Sequence, residues 1–224
     1  MTTSVSAREF DGRGGLDDWR YLLGGITATF RLGSFGAAAR VVSEIAAAAD
    51  AATHHPDVDL RYPDQLRVVL TTHAVGGLTD HDLSLAATIS DLVAGAGGTS
   101  EPAASQAVEV ALDAIDIDGV LRFWRAVLGY VDAAPPDATD GVVAIRDPAR
   151  IGPPFWFQQM DEPRRERNRF HIDVTVPHDV AEARIAEALA AGGTMVTDQY
   201  ARSWWVLADP EGNEACVCTW QDRD

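Results

Sequence analysis

The sequence has no lysine: its 18 basic side chains are all arginine, against 34 Asp and Glu, giving a net charge of −16 over 224 residues. Without lysine there is no Schiff-base catalysis and no phosphate loop built on a lysine ammonium. The acidic balance argues against a nucleic-acid partner, because a polyanion is repelled at long range unless a local basic patch compensates. The one dense basic stretch, Arg164-Arg165-Glu166-Arg167-Asn168-Arg169, carries no interleaved aromatic and reads as a solvated loop. No apolar run approaches the roughly 18 to 20 residues that span a bilayer. The start shows neither a basic region nor an apolar signal core, so a cytoplasmic protein with no membrane partner is expected. Cysteine is scarce as well. Cys216 and Cys218 lie two apart in a strand-like run, sharing a face but diverging too far for an easy disulfide. They fit a reduced compartment, as buried small residues or as a Cys-x-Cys metal pair.

What is present divides in two. The stretch 94–107, "AGAGGTSEPAASQA", has no apolar face and reads as a linker between a domain at 1–93 and a second at 108–224. In the first, "TATFRL" (27–32) alternates as a strand. Ser34 can cap a helix carrying Phe35, Ala38, Val42, Ile45 and Ala49 at helical spacing, which must stop before Pro56. Strand candidates at 58–62 and 66–73 follow, then a helix over 80–93 with Leu85, Ile89 and Leu92 as its stripe and Thr79-x-x-Asp82 as its capping box. This order predicts an α+β domain, an antiparallel sheet with helices on one face. The second part repeats itself: 109–130 and 171–193 each give a strand, an acidic helix start, an amphipathic helix and a glycine. Strand-like runs follow each copy, at 142–146 and 154–159 and at 203–208 and 214–219. Two paired βαβββ modules are expected.

The stretch "ATHHPDV" (52–58) sets two imidazoles at the end of the first helix, where free carbonyls and the negative end of the dipole favour a cation. Asp50, one turn before His54, is expected to reinforce this. A positively biased histidine suits general acid work. His73 ends the strand "LRVVLTTH", on the face opposite Leu66, Val68 and Leu70, and Gly76-Gly77 allow a sharp turn after it. Each feature has a local explanation too: the histidines as helix caps, Asp82 as the third residue of a capping box, His81 as an exposed helix residue.

Taken together, Asp50-x-x-x-His54-His55-Pro56, Tyr62, Thr72-His73 and Gly76-Gly77-Leu78-Thr79-x-x-Asp82-Leu83 with Ala86 resemble the pterin-4a-carbinolamine dehydratase family over about residues 17–95, as do Trp19 and "FRLGSFGAAARVVSEIA". The interval from Tyr62 to His73 is one residue longer than the family's usual spacing, which a β-bulge would absorb. The resemblance implies cofactor-free dehydration of a 4a-hydroxytetrahydropterin to the quinonoid dihydropterin. It implies His54 and His73 as the acid–base pair, His55 as the residue orienting the pterin, Asp82 as a supporting carboxylate, and homodimers or homotetramers.

The second part, through "FWRAVLGY" (123–130), "NRFHIDV" (168–174) and "LADPEGNEACV" (207–217), resembles the glyoxalase-like vicinal oxygen chelate superfamily over about 108–220. That resemblance implies a site for an unidentified small ligand. It also implies Glu109, Gln158, His171 and Glu214 as the positions for a divalent metal where one is used. Phe155, Trp156, Phe157, Trp204 and Trp205 read as core or pocket walls. Three function classes remain open at this level: a dehydratase fused to a ligand-binding domain, a non-catalytic binding or partner-binding oligomer, and a metal-dependent lyase or dioxygenase in the second part.

Overall fold

A computed structural model describes residues 4–133, 143–164, 166 and 168–222. Val142, at the start of one expected strand, and Arg165 and Arg167 of the basic stretch lie outside them. The chain divides into two compact units, Met1–Ala107 and Val108–Asp224.

The first unit runs β1 (Ser4–Val5), α1 (Ala7–Asp11), β2 (Trp19–Leu22), β3 (Gly25–Arg31), α2 (Phe35–Ala52), β4 (Asp57–Arg61), β5 (Gln65–Leu70), β6 (Leu78–Thr79), α3 (Asp80–Gly95) and β7 (Thr99–Ser100). An antiparallel sheet has the order β2-β3-β5-β4, with β7 also paired to β3, while β1 pairs with β6. Alternation selects the core: Ile26, Ala28 and Phe30 of β3 and Leu66, Val68 and Leu70 of β5 pack with Ala38, Val41, Ile45 and Ala49 of α2 and Leu85, Ala86, Ile89 and Val93 of α3. Each large side chain fully buried there contributes about 1.5–3 kcal/mol.

The helical stripe differs from the expected one at two places. Phe35 is 50% exposed, and Val41 rather than Val42 is fully buried. Phe35 is the first residue after the Ser34 cap, whose hydroxyl accepts from the Ala37 amide at 3.1 Å, so it precedes the helix's first contact with the sheet. The extra residue before His73 makes no bulge between β4 and β5. Their pairing runs unbroken from Asp57↔Val69 to Arg61↔Gln65, so the chain between Tyr62 and His73 is a regular hairpin followed by a turn. The expected strand at 66–73 ends at Leu70, with Thr72 making one further bridge to Gly77. The stretch 94–107 is not a featureless linker either. It starts inside α3 and continues through β7, and the Glu101 amide donates to the Thr29 carbonyl at 2.7 Å.

The second unit contains β8 (Val110–Ala114), α4 (Ile117–Leu128), β9 (Val131–Asp132), β10 (Val143–Arg146) and β11 (Phe155–Gln159), then β12 (Ile172–Thr175), α5 (Ala181–Ala190), β13 (Thr194–Thr197), β14 (Trp204–Ala208) and β15 (Glu214–Cys218). The sheets β8-β11-β10-β9 and β12-β15-β14-β13 correspond strand for strand, with a parallel pair between the first and last strand of each module. These are the two βαβββ modules that the repeat predicts. They share one core, in which Phe123, Val127, Phe155 and Phe157 meet Ile185, Leu207, Ala215 and Val217. Asp116 caps α4 by accepting from the Gly119 amide at 3.0 Å, and Gly129 closes it at φ 69°, a left-handed conformation that suits glycine. No helix among the described residues is long and apolar enough to cross a membrane.

Candidate active site and ligand cavity

In the first unit, helix α2 ends on Thr53 at φ 51°, which turns the chain away from the helix axis before the histidine pair emerges. His54 and His55 therefore follow the helix rather than forming its last turn, and the expected pairing changes. Asp50 Oδ1 meets His55 Nε2 at 2.9 Å on the surface, while His54 Nε2 reaches Asp82 Oδ1 at 2.7 Å.

Asp82 has no exposed surface, and its two oxygens divide their work. Oδ1 holds His54. Oδ2 accepts from the Thr72 hydroxyl at 2.6 Å, the Thr79 amide at 2.8 Å and the Thr79 hydroxyl at 3.2 Å. Thr72 and Thr79 also share a hydroxyl contact at 2.8 Å. The capping-box bond at the start of α3 thus occupies one bond of a carboxylate that ties together three segments: the end of α2, the chain after β5, and α3. A buried carboxylate is tolerated because these donors replace its water.

His54 is 14% exposed at its side chain and has the ring of His81 at 6.1 Å. His73 follows Thr72 in the chain, is exposed, and accepts the Gly76 amide on its carbonyl at 3.2 Å as the turn begins. The structure therefore brings His54, Asp82 and Thr72 into direct contact, and sets His73 next to Thr72. His55 is directed to Asp50. Sequence reasoning missed the bonds from Thr72 and treated His81 only as an exposed helix residue; it is exposed, but on the turn that faces His54.

Residues 3–92 match the family model "Pterin 4 alpha carbinolamine dehydratase". The chain is 40% identical over 94 residues to a protein of Roseiflexus sp. (strain RS-1), covering 42% of this chain and all of that one. It is 47% identical over 76 residues to a protein of Chloroflexus aurantiacus, covering 34% of this chain and 81% of that one. Both carry the name "Putative pterin-4-alpha-carbinolamine dehydratase". The chain belongs to the pterin-4-alpha-carbinolamine dehydratase family. A solved transcriptional coactivator/pterin dehydratase from Brucella melitensis is 23% identical, with 40% of this chain and 98% of that chain covered and a TM-score of 0.37.

The second unit matches the family model "Glyoxalase-like domain" over residues 109–218. A solved glyoxalase/bleomycin resistance protein from Albidiferax ferrireducens T118 is 22% identical, covering 51% of this chain and 98% of that chain, with a TM-score of 0.40. A cavity of about 560 Å³ takes its walls from both modules, with Trp124 and Phe155 from the first and His171, Ile172 and Glu214 from the second. Arg164 and Asn168 of the intervening loop also line it and donate to Asn213 Oδ1 at 3.2 and 2.7 Å. The "DPEGNE" segment forms the expected turn. Asp209 accepts from the Trp124 indole at 2.9 Å and from the Glu211 and Asn213 amides, and Glu211 Oε1 accepts the Ile115 and Asp116 amides at 2.8 and 2.6 Å.

Of the four metal positions that the superfamily resemblance implies, His171 and Glu214 line this cavity. Glu109 precedes β8 and Gln158 lies on β11; both are exposed and neither lines it. Among the described residues, one group of His, Cys, Asp or Glu brings three donor atoms within 4.8 Å of one another: His171, Asp173 and Cys216. That group contains His171 and none of the other three implied residues. Burial, followed by a hydrogen bond to Asp173, pushes the Cys216 thiol up to about 12, so in the absence of a metal it stays protonated. Cys218 is also buried and is not disulfide-bonded.

Proposed function

We propose that the first unit dehydrates a 4a-hydroxytetrahydropterin to the quinonoid dihydropterin by histidine acid–base catalysis, and that the second binds a small organic molecule. The observation that carries the dehydratase reading is Asp82, a fully buried carboxylate bonded at once to His54 and to Thr72, the neighbour of His73. Two segments far apart in the chain are joined there, in a member of the family that performs this chemistry.

In this reaction the bond from ring carbon to hydroxyl breaks, the oxygen leaves as water after gaining a proton, and a ring nitrogen gives up a proton. Both transfers are within reach of imidazole, and neither needs a cofactor. With Nε2 of His54 donating to Asp82, Nδ1 is the ring nitrogen left to exchange a proton with substrate. The carboxylate fixes the tautomer and the ring orientation, as in other His–carboxylate pairs. His73 is the partner of the acid–base pair, and His55 orients the bicyclic ring. Asp82 acts through His54 rather than on the pterin.

The mixed lining of the cavity in the second unit, with apolar side chains such as Trp124, Phe155 and Ile172 beside polar and charged ones such as Asp113, Arg164 and Glu214, supports binding of a small organic ligand that carries polar groups. The test is a dehydration assay on the wild type, His54→Ala and His73→Ala. Turnover in the wild type, reduced by roughly 10²- to 10⁴-fold in each variant, supports the enzyme. No turnover in the wild type turns the reading toward a binding or oligomerisation module.

A further inference from the structure

We propose that His171, Asp173 and Cys216 form a site for a thiophilic divalent cation of the zinc class. His171 Nδ1 stands 2.9 Å from Asp173 Oδ1 and 3.4 Å from Cys216 Sγ, and the three donor atoms all lie within 4.8 Å of one another. Zinc with bonds of roughly 2.0–2.3 Å in tetrahedral geometry holds neighbouring ligand atoms roughly 3.5 Å apart. The nitrogen–sulfur spacing already matches that, and the nitrogen–oxygen pair has only to open slightly.

The backbone sets this spacing. His171 and Asp173 are two apart at the start of β12, and Asp173 is paired in register with Cys216 across the parallel ladder to β15. Their neighbours Ile172, Val174, Ala215 and Val217 point into the core, so alternation places the three donors together on the opposite face. β12 lies at the edge of its sheet, and the side chains of His171 and Asp173 are 44% and 58% exposed, so an ion can reach them from solvent.

A nucleophilic triad is the competing reading of Cys, His and Asp in contact, and the geometry opposes it. A relay places the nucleophile on one ring nitrogen and the carboxylate on the other. Here the same Nδ1 faces both partners. Three donors converging on one point is instead the arrangement of a metal tripod. On binding, the Cys216 S–H bond breaks and its proton passes to solvent. The proton that His171 Nδ1 shares with Asp173 also leaves that nitrogen, so the neutral imidazole carries its one proton on Nε2; Sγ and the freed Nδ1 lone pair bond to the ion, and the two positive charges offset the thiolate and the Asp173 carboxylate. A mixed sulfur, nitrogen and oxygen set selects a zinc-class ion over magnesium or calcium, which take oxygen donors.

This set shares only His171 with the four residues implied by the vicinal oxygen chelate resemblance. His171 also lines the cavity, so an ion held here stands one side chain from whatever occupies it.

The test strips the 224-residue chain with a chelator and titrates it with Co²⁺. The expected result is one ion per chain with a thiolate-to-cobalt charge-transfer band in the near ultraviolet. Cys216→Ser is expected to lose the band, and both it and His171→Ala to weaken binding by at least about tenfold. Cys218→Ser is expected to keep band and affinity, because its sulfur points to the Cys216 carbonyl. Should Cys216→Ser fail to fold, judged by far-ultraviolet circular dichroism, Asp173→Asn on the exposed edge reads the same site through a weakened affinity. No binding, a spectrum without the thiolate band, a band that survives Cys216→Ser, or binding lost in Glu214→Gln but kept in Cys216→Ser each overturns the proposal.

Discussion

Among the described residues, each unit buries one multiply bonded aspartate, Asp82 in the first and Asp209 in the second, and the two do different work. Asp82 accepts from an imidazole, two hydroxyls and an amide drawn from three segments. Asp209 accepts from the Trp124 indole, the Asn213 side-chain amide and backbone amides of its own turn. Both are satisfied and both are inaccessible, at 0% and 2% exposure. Burial of a carboxylate therefore does not mark chemistry by itself. A titratable partner at the edge of solvent does, and only Asp82 has one. In the second unit a titratable group lies elsewhere, at the edge strand β12, where His171 and Asp173 are exposed, and on its neighbour β15, where Cys216 is buried.

The sharpest way to break this comparison is to neutralise both carboxylates in parallel. Asp82→Asn is expected to lower dehydration at least about 100-fold by releasing His54 from its tautomer. It also destabilises the first unit by roughly 1–3 kcal/mol, because an amide cannot accept all of those donors. Asp209→Asn is expected to cost the second unit a similar roughly 1–3 kcal/mol in urea unfolding while leaving dehydration unchanged. Equal loss of activity in both variants would erase the distinction. Five of the six tryptophans lie in the second unit and Trp19 alone in the first, so tryptophan emission follows mainly the second unit and the unfolding of the two can be separated by comparison with circular dichroism.

A smaller effect concerns alkali. The Cys216 thiol is held near 12 against an ordinary value of 9, so the folded second unit keeps a proton that its unfolded form releases. Stability from this source is complete below about pH 9 and is lost as pH rises toward 12. The metal-stripped protein should show that loss in the emission of the second unit, and Cys216→Ser should remove it. A loss that persists in the variant would place its origin elsewhere.

Smallest of all should be His55→Ala and Asp50→Ala. Their mutual bond is 62% and 79% exposed, which limits its contribution to below about 1 kcal/mol of stability. If His55 orients the pterin, His55→Ala raises KM while Asp50→Ala leaves the kinetics nearly unchanged.

Much of this architecture was legible in the sequence where the period ran long enough to be counted. Helices α2, α4 and α5, strands β3 and β5, and the repeat of the βαβββ modules all show their alternation over several residues. The two-residue strands β1, β6, β7 and β9 do not, because a pair of residues has no period and its partner lies far along the chain. The candidate site divides in the same manner. Asp82 was legible as a capping residue, and that local explanation hid its bonds to His54 and Thr72, which depend on tertiary approach. The expected help from Asp50 to His54 rested on helical spacing, and the left-handed Thr53 ends that spacing one residue too soon. Asp173 and Cys216 became partners of His171 only through the parallel register of β12 and β15, which no local pattern reveals.

If Asp82 assembles a histidine site for dehydration, catalysis depends on the His54 ring that it holds. The most direct measurement is the initial rate of 4a-hydroxytetrahydropterin dehydration, above the buffer-catalysed rate, by the wild type and by His54→Ala folded to the same extent. Clear catalysis by the wild type and a loss of at least about 100-fold in the variant are expected. A wild-type rate equal to buffer, or a variant as fast as the wild type, would contradict this.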